Sequence, residues 1–164
     1  MSEWPEIIRW TKPFLPAGLS ALAEAARRDG HEFLFKFEAE WLSGALRFDG
    51  PGECLFVAEL GSKLVGVSGI CRDPYQEHAD VGRLRHVYVD IDFRSRGLAR
   101  RLVLACLACI GSHFRIIRLS TTNPVAACLY ERLGFEAVAI DGEPVTHIRQ
   151  AGDIERAQDR RRTP

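Results

Sequence analysis

The stretch that decides the fold is VYVDIDFRSRGLARR, residues 87–101. Its first residues are the end of a strand in which apolar and polar side chains alternate, and this strand ends at Val89. A short polar loop follows, and a helix begins near Gly97. Glycine lets the backbone approach a ligand closely, and the first turn of a helix leaves its N–H groups without partners. These donors and the positive end of the helix dipole suit a phosphate. The stretch therefore predicts a phosphate-binding loop between a strand and a helix.

Arginines concentrate around this loop, although the whole chain is electrically neutral. Residues 83–101 contain six arginines and two aspartates, whereas the full chain of 164 residues has 22 basic and 22 acidic residues. A neutral chain lacks the bulk positive charge that drives non-specific nucleic-acid binding. The sequence therefore predicts a local anion site and no nucleic-acid partner.

Length and composition indicate a single globular domain, which we place at residues 1–150, followed by a basic C-terminal tail at 151–164 that we expect to be disordered. The hydrophobic fraction of 46% is typical of a folded protein. The longest apolar run, Leu102–Ile110, has nine residues, fewer than the ~18 that a membrane span needs. The N-terminus, MSEWPEIIRW, has no basic flank before an apolar core and so does not resemble a secretory signal. We expect a cytoplasmic protein that does not contact membranes.

The five cysteines are odd in number and scattered along the chain, which favours reduced thiols over a disulfide framework. Cys106 and Cys109 form a CxxC pair, but no second pair and no nearby paired histidine accompany them. The pair also lies inside an apolar helical pattern. We therefore expect small buried hydrophobic residues there and no metal.

The rest of the chain divides into periodic segments in the order β-α-α-β-β-β-α-β-α-β-β. Helices are predicted at residues 16–28, 31–48 and 97–110, and a fourth helix is capped by Asn123 and Pro124 at its start and by Gly134 at its end. Strands are predicted at residues 6–10, 54–59, 63–71, 83–90, 115–120, 135–140 and 144–149. This order is typical of an α+β or mixed α/β domain.

The loop motif RSRGLA, residues 94–99, is neither GxxxxGK[ST] nor GxGxxG. It fits the pattern R/Q-x-x-G-x-G/A of the acetyl-CoA pyrophosphate loop in GNAT-type N-acetyltransferases. KLVGVSGI at 63–70 precedes it and LSTTNPVAACLYERLGFEAV at 119–138 follows it, and both are similar to segments of the same superfamily. The resemblance covers about residues 6–149. It implies a central, mostly antiparallel, splayed sheet of about seven strands flanked by about four helices.

The resemblance also implies acetyl-CoA as the acyl donor and assigns residues to it. In this family, backbone groups of the strand before the loop pair with the pantetheine arm, and N–H groups of the loop hold the pyrophosphate. The implied cofactor-binding residues are Val87, Tyr88, Val89, Arg94, Ser95, Arg96, Gly97, Leu98, Ala99, Arg100 and Asn123. Of these, Asn123 also suits a plain helix-capping role.

Tyr130 is the implied catalytic residue. In GNAT enzymes the tyrosine at this place points at the thioester sulfur, and a phenol of pKa ~10 is a reasonable proton donor to a departing thiolate. The amine attacks the thioester directly, with backbone N–H groups near Val89 stabilising the oxyanion. No cysteine is then needed as a nucleophile, although Cys128 is close to the site in sequence.

The general base stays open at this point. Some family enzymes carry Glu or His on the strand that corresponds to Arg83–Arg85, where this chain has arginines. His86 follows, and strict alternation places it on the opposite side from Arg85. Further candidates in the flanking helix and loop are Glu40, Asp73, Glu77 and His78, and a water relay would also serve.

The acceptor is expected to be a small primary amine. Arg83 and Arg85 suit an acceptor with a carboxylate or phosphate, such as an amino-acid derivative. Aromatic side chains of the second helix, among them Phe35 and Trp41, are candidates to line the pocket, although Phe33, Phe37 and Trp41 have the helical spacing of core residues. A protein or peptide acceptor, a non-catalytic acyl-CoA-binding module and a structural interaction domain stay open as alternatives. The acyl chain, the acceptor's identity and pairing as a homodimer are not fixed by the sequence.

Overall fold

The computed structural model describes residues 4–152, and this part of the chain contains seven strands and four α-helices. The strands are β1 (Glu6–Arg9), β2 (Cys54–Leu60), β3 (Lys63–Arg72), β4 (Val81–Val89), β5 (Ile116–Leu119), β6 (Glu136–Ala137) and β7 (His147–Gln150). The helices are α1 (Leu19–Arg28), α2 (Phe33–Ser43), α3 (Leu98–Cys109) and α4 (Pro124–Arg132). The predicted α+β class and the predicted element order are confirmed. Most of the predicted tail lies outside the described residues.

The strands form one sheet in the order β1-β2-β3-β4-β5-β7-β6. Its neighbours are antiparallel except for β4 and β5, which run parallel. β5 pairs only with the first three residues of β4, Val81–Arg83, whereas β3 stays paired with β4 up to Val89. The two parallel strands therefore part after Arg83, and the expected splayed sheet is confirmed. Along the second half of β4, the edge toward β5 therefore has no partner strand within residues 4–152, and we call it the open edge of β4.

Helices cover both faces of this sheet. α1 and α2 pack over one face, where Leu34 and Phe37 are fully buried, and we call it the α1/α2 face. Val103 of α3 and Tyr130 of α4 pack over the other, the α3/α4 face. Because side chains alternate along a strand, each residue of β4 or β5 belongs to one of these two sides.

Two elements end three or more residues before their predicted ends. The second helix ends at Ser43, not near residue 48, because Gly44 adopts a left-handed conformation with φ of 80° and stops it. β6 has two residues, Glu136–Ala137, where a strand over 135–140 was predicted. The shortened second helix releases residues 44–49 into a connection that lines a surface cleft.

The CxxC pair is part of the packing between α3 and the sheet. Cys106 is fully buried, with Sγ 3.3 Å from Ser68 Oγ, and Cys109 is half-buried. Within residues 4–152, no group of three His, Cys, Asp or Glu side chains is arranged to hold a metal ion. The helices of this same range include none that is long and apolar enough to cross a membrane.

Candidate active site

The loop between β4 and α3 presents a row of free backbone donors. Ser95 and Gly97 adopt left-handed conformations, with φ of 62° and 73°, and Gly97 is the N-cap of α3. The first N–H that bonds back into the helix is that of Arg101, which donates to Gly97 O at 3.0 Å. Within the described part of the chain, the six N–H groups of residues 95–100 have no hydrogen-bond acceptor. Such a row at a helix N-terminus suits an anion, and anion binding by this loop stays a prediction.

Arg94 connects this loop to α1. Its Nε donates to Val89 O at 2.9 Å, its Nη2 pairs with the Asp29 carboxylate, and its guanidinium lies over the Tyr88 ring. The hydrogen bond from Arg94 holds the pKa of Asp29 below its ordinary value. By contrast, Arg96 and Arg100 are exposed and form no ion pair with any described residue. The loop therefore combines one fixed arginine with two free ones.

The open edge of β4 presents the backbone groups of Val89. Asp90 N donates to Val65 O at 2.9 Å. In this antiparallel register, Val89 and Gly66 are therefore a non-hydrogen-bonded pair, and the N–H and C=O of Val89 point away from β3. The backbone of Tyr88, by contrast, is directed to β3. The Tyr88 side chain donates from Oη to Asp29 Oδ2 at 3.4 Å. The expected pairing of Tyr88 with a cofactor arm stays a prediction.

A β-bulge interrupts β4 at His86. His86 has φ of 59°, and the register between β3 and β4 shifts opposite Ser68. The extra residue cancels the alternation, so Arg85 and His86 both point to the α1/α2 face. Arg85 Nη2 donates to Glu40 Oε1 at 3.1 Å, and His86 Nε2 lies 3.8 Å from Glu40 Oε2. The prediction that these two side chains face opposite sides is wrong, and the bulge is the reason.

The His86 ring lies within an aromatic cluster. It stacks on Phe37 with ring centroids 4.8 Å apart, and Phe33 and Phe48 also lie close to it. Burial lowers the pKa of His86 to about 3. The imidazole is therefore uncharged at neutral pH, and neither ring nitrogen has a hydrogen-bond partner among the described residues.

Arg83 lies in a second charged group on the same face. Its Nη1 is 3.6 Å from Asp73 Oδ2, and Nε of Arg118 is also 3.6 Å from that oxygen. Sequence reasoning missed Arg118. The sequence does contain a signal for this residue, because it is a charged residue inside the otherwise apolar strand IIRL. Its neighbours Ile117 and Leu119 both pack on the α3/α4 face.

A cleft of about 420 Å³ lies between the α2–β2 connection and the adjoining ends of β3 and β4. The residues that line it are Gly44, Ala45, Leu46, Arg47, Asp49, Glu53, Cys71, Arg72, Asp73, Pro74, Gln76 and Arg85. The predicted acceptor residue Arg85 is thus at an accessible cleft, whereas Phe35 and Trp41 do not line it. Phe35 is half-buried against the core, and Trp41 is buried and packs edge-on against Phe37.

Asn123 and Tyr130 lie at the start and near the end of α4. Asn123 Oδ1 accepts a hydrogen bond from Val125 N at 3.0 Å, which confirms the predicted cap. The Tyr130 ring is buried against Phe135, with centroids 5.8 Å apart. Burial raises the pKa of Tyr130 to about 12, so the phenol keeps its proton at neutral pH.

The remaining candidates for a general base have different surroundings. The carboxylates of Glu40 and Asp73 each face arginine side chains, as described above. Glu77 and His78 are exposed on the connection between β3 and β4. No single side chain is therefore singled out by geometry as the proton acceptor.

Comparisons with known proteins agree with this geometry. Residues 51–137 match the acetyltransferase (GNAT) domain family. The N-acetylaspartate synthetase of Xenopus tropicalis is 36% identical over 93 residues. That alignment covers 55% of this chain and 33% of the Xenopus protein, so the chain spans about a third of that relative's length.

Two solved structures show the fold. A protein crystallised as a candidate acetyltransferase from an Exiguobacterium species superposes with a TM-score of 0.80 at 23% identity, covering 93% of this chain and 97% of that one. The Escherichia coli N-acetyltransferase YhbS, solved in complex with CoA, gives 0.67 at 18% identity, with 93% and 84% covered. The family match spans more than half of the chain and includes the donor loop. The chain therefore belongs to the GNAT acetyltransferase family.

Proposed function

We propose that this protein is an acetyl-CoA-dependent N-acetyltransferase whose acceptor is a small primary amine that carries a carboxylate. The observation that carries the proposal is the row of six N–H groups, residues 95–100, that have no acceptor among the described residues and lie next to the open edge of β4. Both features lie at the carboxyl ends of two parallel strands, where ligands of such sheets characteristically bind.

The residues present fit acetyl-CoA. The N–H groups of residues 95–100 would hold the pyrophosphate, and the backbone groups of Val89 would pair with the pantetheine arm, with Val87 beside them on the same strand. When bound, acetyl-CoA supplies an acyl group that is activated as a thioester. The CoA complex of the E. coli neighbour supports this assignment, because that protein has the same fold.

The chain's own groups supply proton transfer and charge stabilisation. Tyr130 keeps its phenolic proton at neutral pH and is the proposed donor of that proton from Oη. Backbone N–H groups near Val89, other than the one that pairs with the pantetheine arm, would donate to the developing oxyanion. The base that receives the proton of the acceptor ammonium is not assigned.

Two arginines support a carboxylate on the acceptor. A guanidinium binds a carboxylate with two parallel hydrogen bonds, and Arg85 reaches the cleft while Arg83 lies on the same face. The relative from Xenopus is named for N-acetylaspartate, a product that carries carboxylates. These points favour a small molecule over a protein or peptide acceptor. Tyr130 favours an enzyme over a non-catalytic acyl-CoA-binding module, and the five free thiols favour a reducing compartment such as the cytoplasm.

The test is a calorimetric titration of the ligand-free protein with acetyl-CoA, using the Gly97→Glu variant. We expect saturable one-to-one binding that the variant abolishes, because a carboxylate would then stand among the phosphate donors. Gly111→Glu is the matched control. Gly111 also has a positive φ, is exposed and lies at the other end of α3. Absence of binding by the folded wild-type protein, or equal loss in both variants, would overturn the assignment.

A second step is a screen of amines for release of the free thiol of CoA. Peptides with free N-termini and lysine side chains are included beside small amines. Activity on peptides alone would favour the protein acceptor, and binding of acetyl-CoA without transfer to any amine would favour the non-catalytic module.

A further inference from the structure

His147 lies beside Tyr130, at the place where the sheet divides. It pairs with Leu119, the last residue of β5, one position beyond the last parallel pair with β4. The residue is buried, and its ring centroid is 6.5 Å from that of Tyr130. The Phe135 ring packs edge-on against the same tyrosine at 5.8 Å. Two neighbouring rings therefore restrict the position of the phenol.

A chain of hydrogen bonds runs through His147 and joins the two ends of α4. His147 Nε2 lies 3.3 Å from Glu131 Oε1, and Nδ1 lies 2.9 Å from Thr146 Oγ1. That hydroxyl oxygen accepts from Thr121 N at 3.0 Å, and Thr121 Oγ1 accepts from Asn123 N at 3.2 Å. Asn123 is the N-cap of α4, and Glu131 lies in its last turn. The chain therefore ties the start and the end of α4 to one residue of β7.

The direction of these bonds fixes the tautomer of His147. A backbone N–H can only donate, so Thr146 Oγ1 must accept from Thr121. Within residues 4–152, His147 Nδ1 is the only acceptor for the Thr146 hydroxyl, so the hydroxyl proton points to that nitrogen. Nε2 then carries the hydrogen of the neutral ring and donates it to the Glu131 carboxylate. In this tautomer every group of the chain has a partner.

Packing alone holds α4 weakly. Tyr130 is the only buried residue of this nine-residue helix, and Val125 in its first turn is 79% exposed. The Tyr130 hydroxyl forms no hydrogen bond to any residue in the described part of the chain, so no polar group of that part directs it. Because Glu131 directly follows Tyr130, the bond from His147 fixes the helical turn that carries the phenol.

We propose that His147 is a positioning residue for Tyr130, which holds the last turn of α4 so that the phenol stays in the place from which it donates its proton. The inference rests on the proposed function and adds a residue that acts only through Tyr130. The holding contacts are the packing of the two rings and the hydrogen bond from Nε2 to Glu131.

The experiment replaces the imidazole by two amides of different reach. In His147→Gln the amide nitrogen reaches the position of Nε2 and can donate to Glu131, whereas in His147→Asn the amide reaches only the position of Nδ1. We expect His147→Asn to lower kcat about ten- to hundredfold, the range for a catalytic group displaced by about an ångström. His147→Gln should recover most of this loss. Thiol release from acetyl-CoA is measured with the amine of the screen that reacts fastest.

The affinity for acetyl-CoA separates positioning of the phenol from a general structural role. Calorimetry should give the same Kd for wild type and both variants, because the chain does not include the phosphate-binding loop. A loss of acetyl-CoA affinity as large as the loss of kcat, or equal kcat in His147→Gln and His147→Asn, would overturn the proposal. His113→Asn, at an exposed histidine outside the chain of hydrogen bonds, is the matched control and should keep wild-type kcat.

The decisive measurement repeats His147→Asn in a Tyr130→Phe protein. A residue that acts through the phenol hydroxyl has nothing left to position there, so kcat should fall by less than about twofold further. If the full loss persists in this background, the proposal is wrong. The tautomer is measured without turnover, from the nitrogen NMR shifts of the His147 ring, assigned by comparison with His147→Gln. A proton on Nδ1 in place of Nε2 would also overturn the proposal.

A second variant removes the same bond from the outer side of α4, should His147→Asn not fold. The Glu131 side chain is 50% exposed, so Glu131→Ala leaves the core intact. It should lower kcat about tenfold without changing the Kd of acetyl-CoA, and Glu136→Ala, at an exposed residue of β6, is its control. Failure of the proposed function would appear in the wild type, as absence of acetyl-CoA binding or of acetyl transfer, so the two failures are distinguishable.

Discussion

The two ends of β4 differ in the groups that they offer to an anion. Beyond its carboxyl end, the N–H groups of residues 95–100 have no acceptor among the described residues, and the exposed Arg96 and Arg100 form no ion pair with them. In its first half, Arg83 and Arg85 are largely buried and each faces a carboxylate. A site built from backbone N–H groups depends on the conformation of the loop and tolerates many side chains. A site built from side chains depends on which residue types are present. Under the proposed function, the loop would hold the shared acyl donor and the arginines would contribute to selecting the acceptor.

The largest effect on catalysis that we expect comes from substituting Tyr130, the proposed proton donor. Tyr130→Phe should lower kcat by about 10²–10⁴-fold, the usual contribution of a positioned proton donor. The affinity for acetyl-CoA should be unchanged, because the hydroxyl does not hold the pyrophosphate. Steady-state thiol release and calorimetry measure the two quantities.

The Cys128→Ser variant is the control for this experiment, since Cys128 is an exposed thiol on the same helix. It should retain wild-type kcat. Full turnover by the Tyr130→Phe variant would contradict the assignment of this phenol as the proton donor.

His86 lies at the bulge in β4, and its buried imidazole should make the free energy of unfolding depend on pH in acid. Its pKa of about 3 is below the unfolded value near 6.5, so the unfolded state takes up a proton first as the pH falls through this range. The free energy of unfolding should therefore drop by about 2 kcal/mol from this group between pH 8 and pH 5.

The matching variant is His86→Asn, because asparagine tolerates a positive φ and does not titrate here. Urea unfolding at both pH values should show a smaller loss of stability in acid for the variant than for the wild type. His113→Asn, at an exposed histidine, should keep the wild-type loss. Equal pH dependence in His86→Asn and the wild type would contradict the buried neutral imidazole.

The smallest expected effect concerns the Asp29–Arg94 pair, which fixes one arginine beside the loop. Asp29→Asn should weaken binding of acetyl-CoA about two- to fivefold, the range of a partly exposed ion pair. Asp80→Asn, which removes the carboxylate of the exposed pair with Arg115, is the control and should bind as the wild type does. Equal or tighter binding in Asp29→Asn would mean that Asp29 competes with the ligand for Arg94.

The sequence predicted the loop because its signals are local. Gly97 before a helix and Asn123–Pro124 at the start of another act through neighbouring residues of the chain, so a single segment contains the information. The overall order of helices and strands followed from periodicity for the same reason.

The arginine site could not be predicted in this way. Arg83 and Arg118 become neighbours only when β4 and β5 pair in one register, and Glu143 reaches them from a turn between two further strands. The shared direction of Arg85 and His86 depends on a bulge, and a histidine with a positive φ leaves no recognisable pattern in the sequence. Tertiary pairing therefore decides how these charged side chains are arranged.

The bulge at His86 also bears on how such a protein can acquire a new selectivity. Because the register shifts there, residues 83–85 pair with one stretch of β3, Gly69–Cys71, and residues 88–89 pair with another, Gly66–Val67. An engineer could exchange the first stretch as a cassette and leave the alignment of the second untouched. Related proteins could diverge in the same way, keeping the second half of β4 and the loop after it while residues 83–85 change.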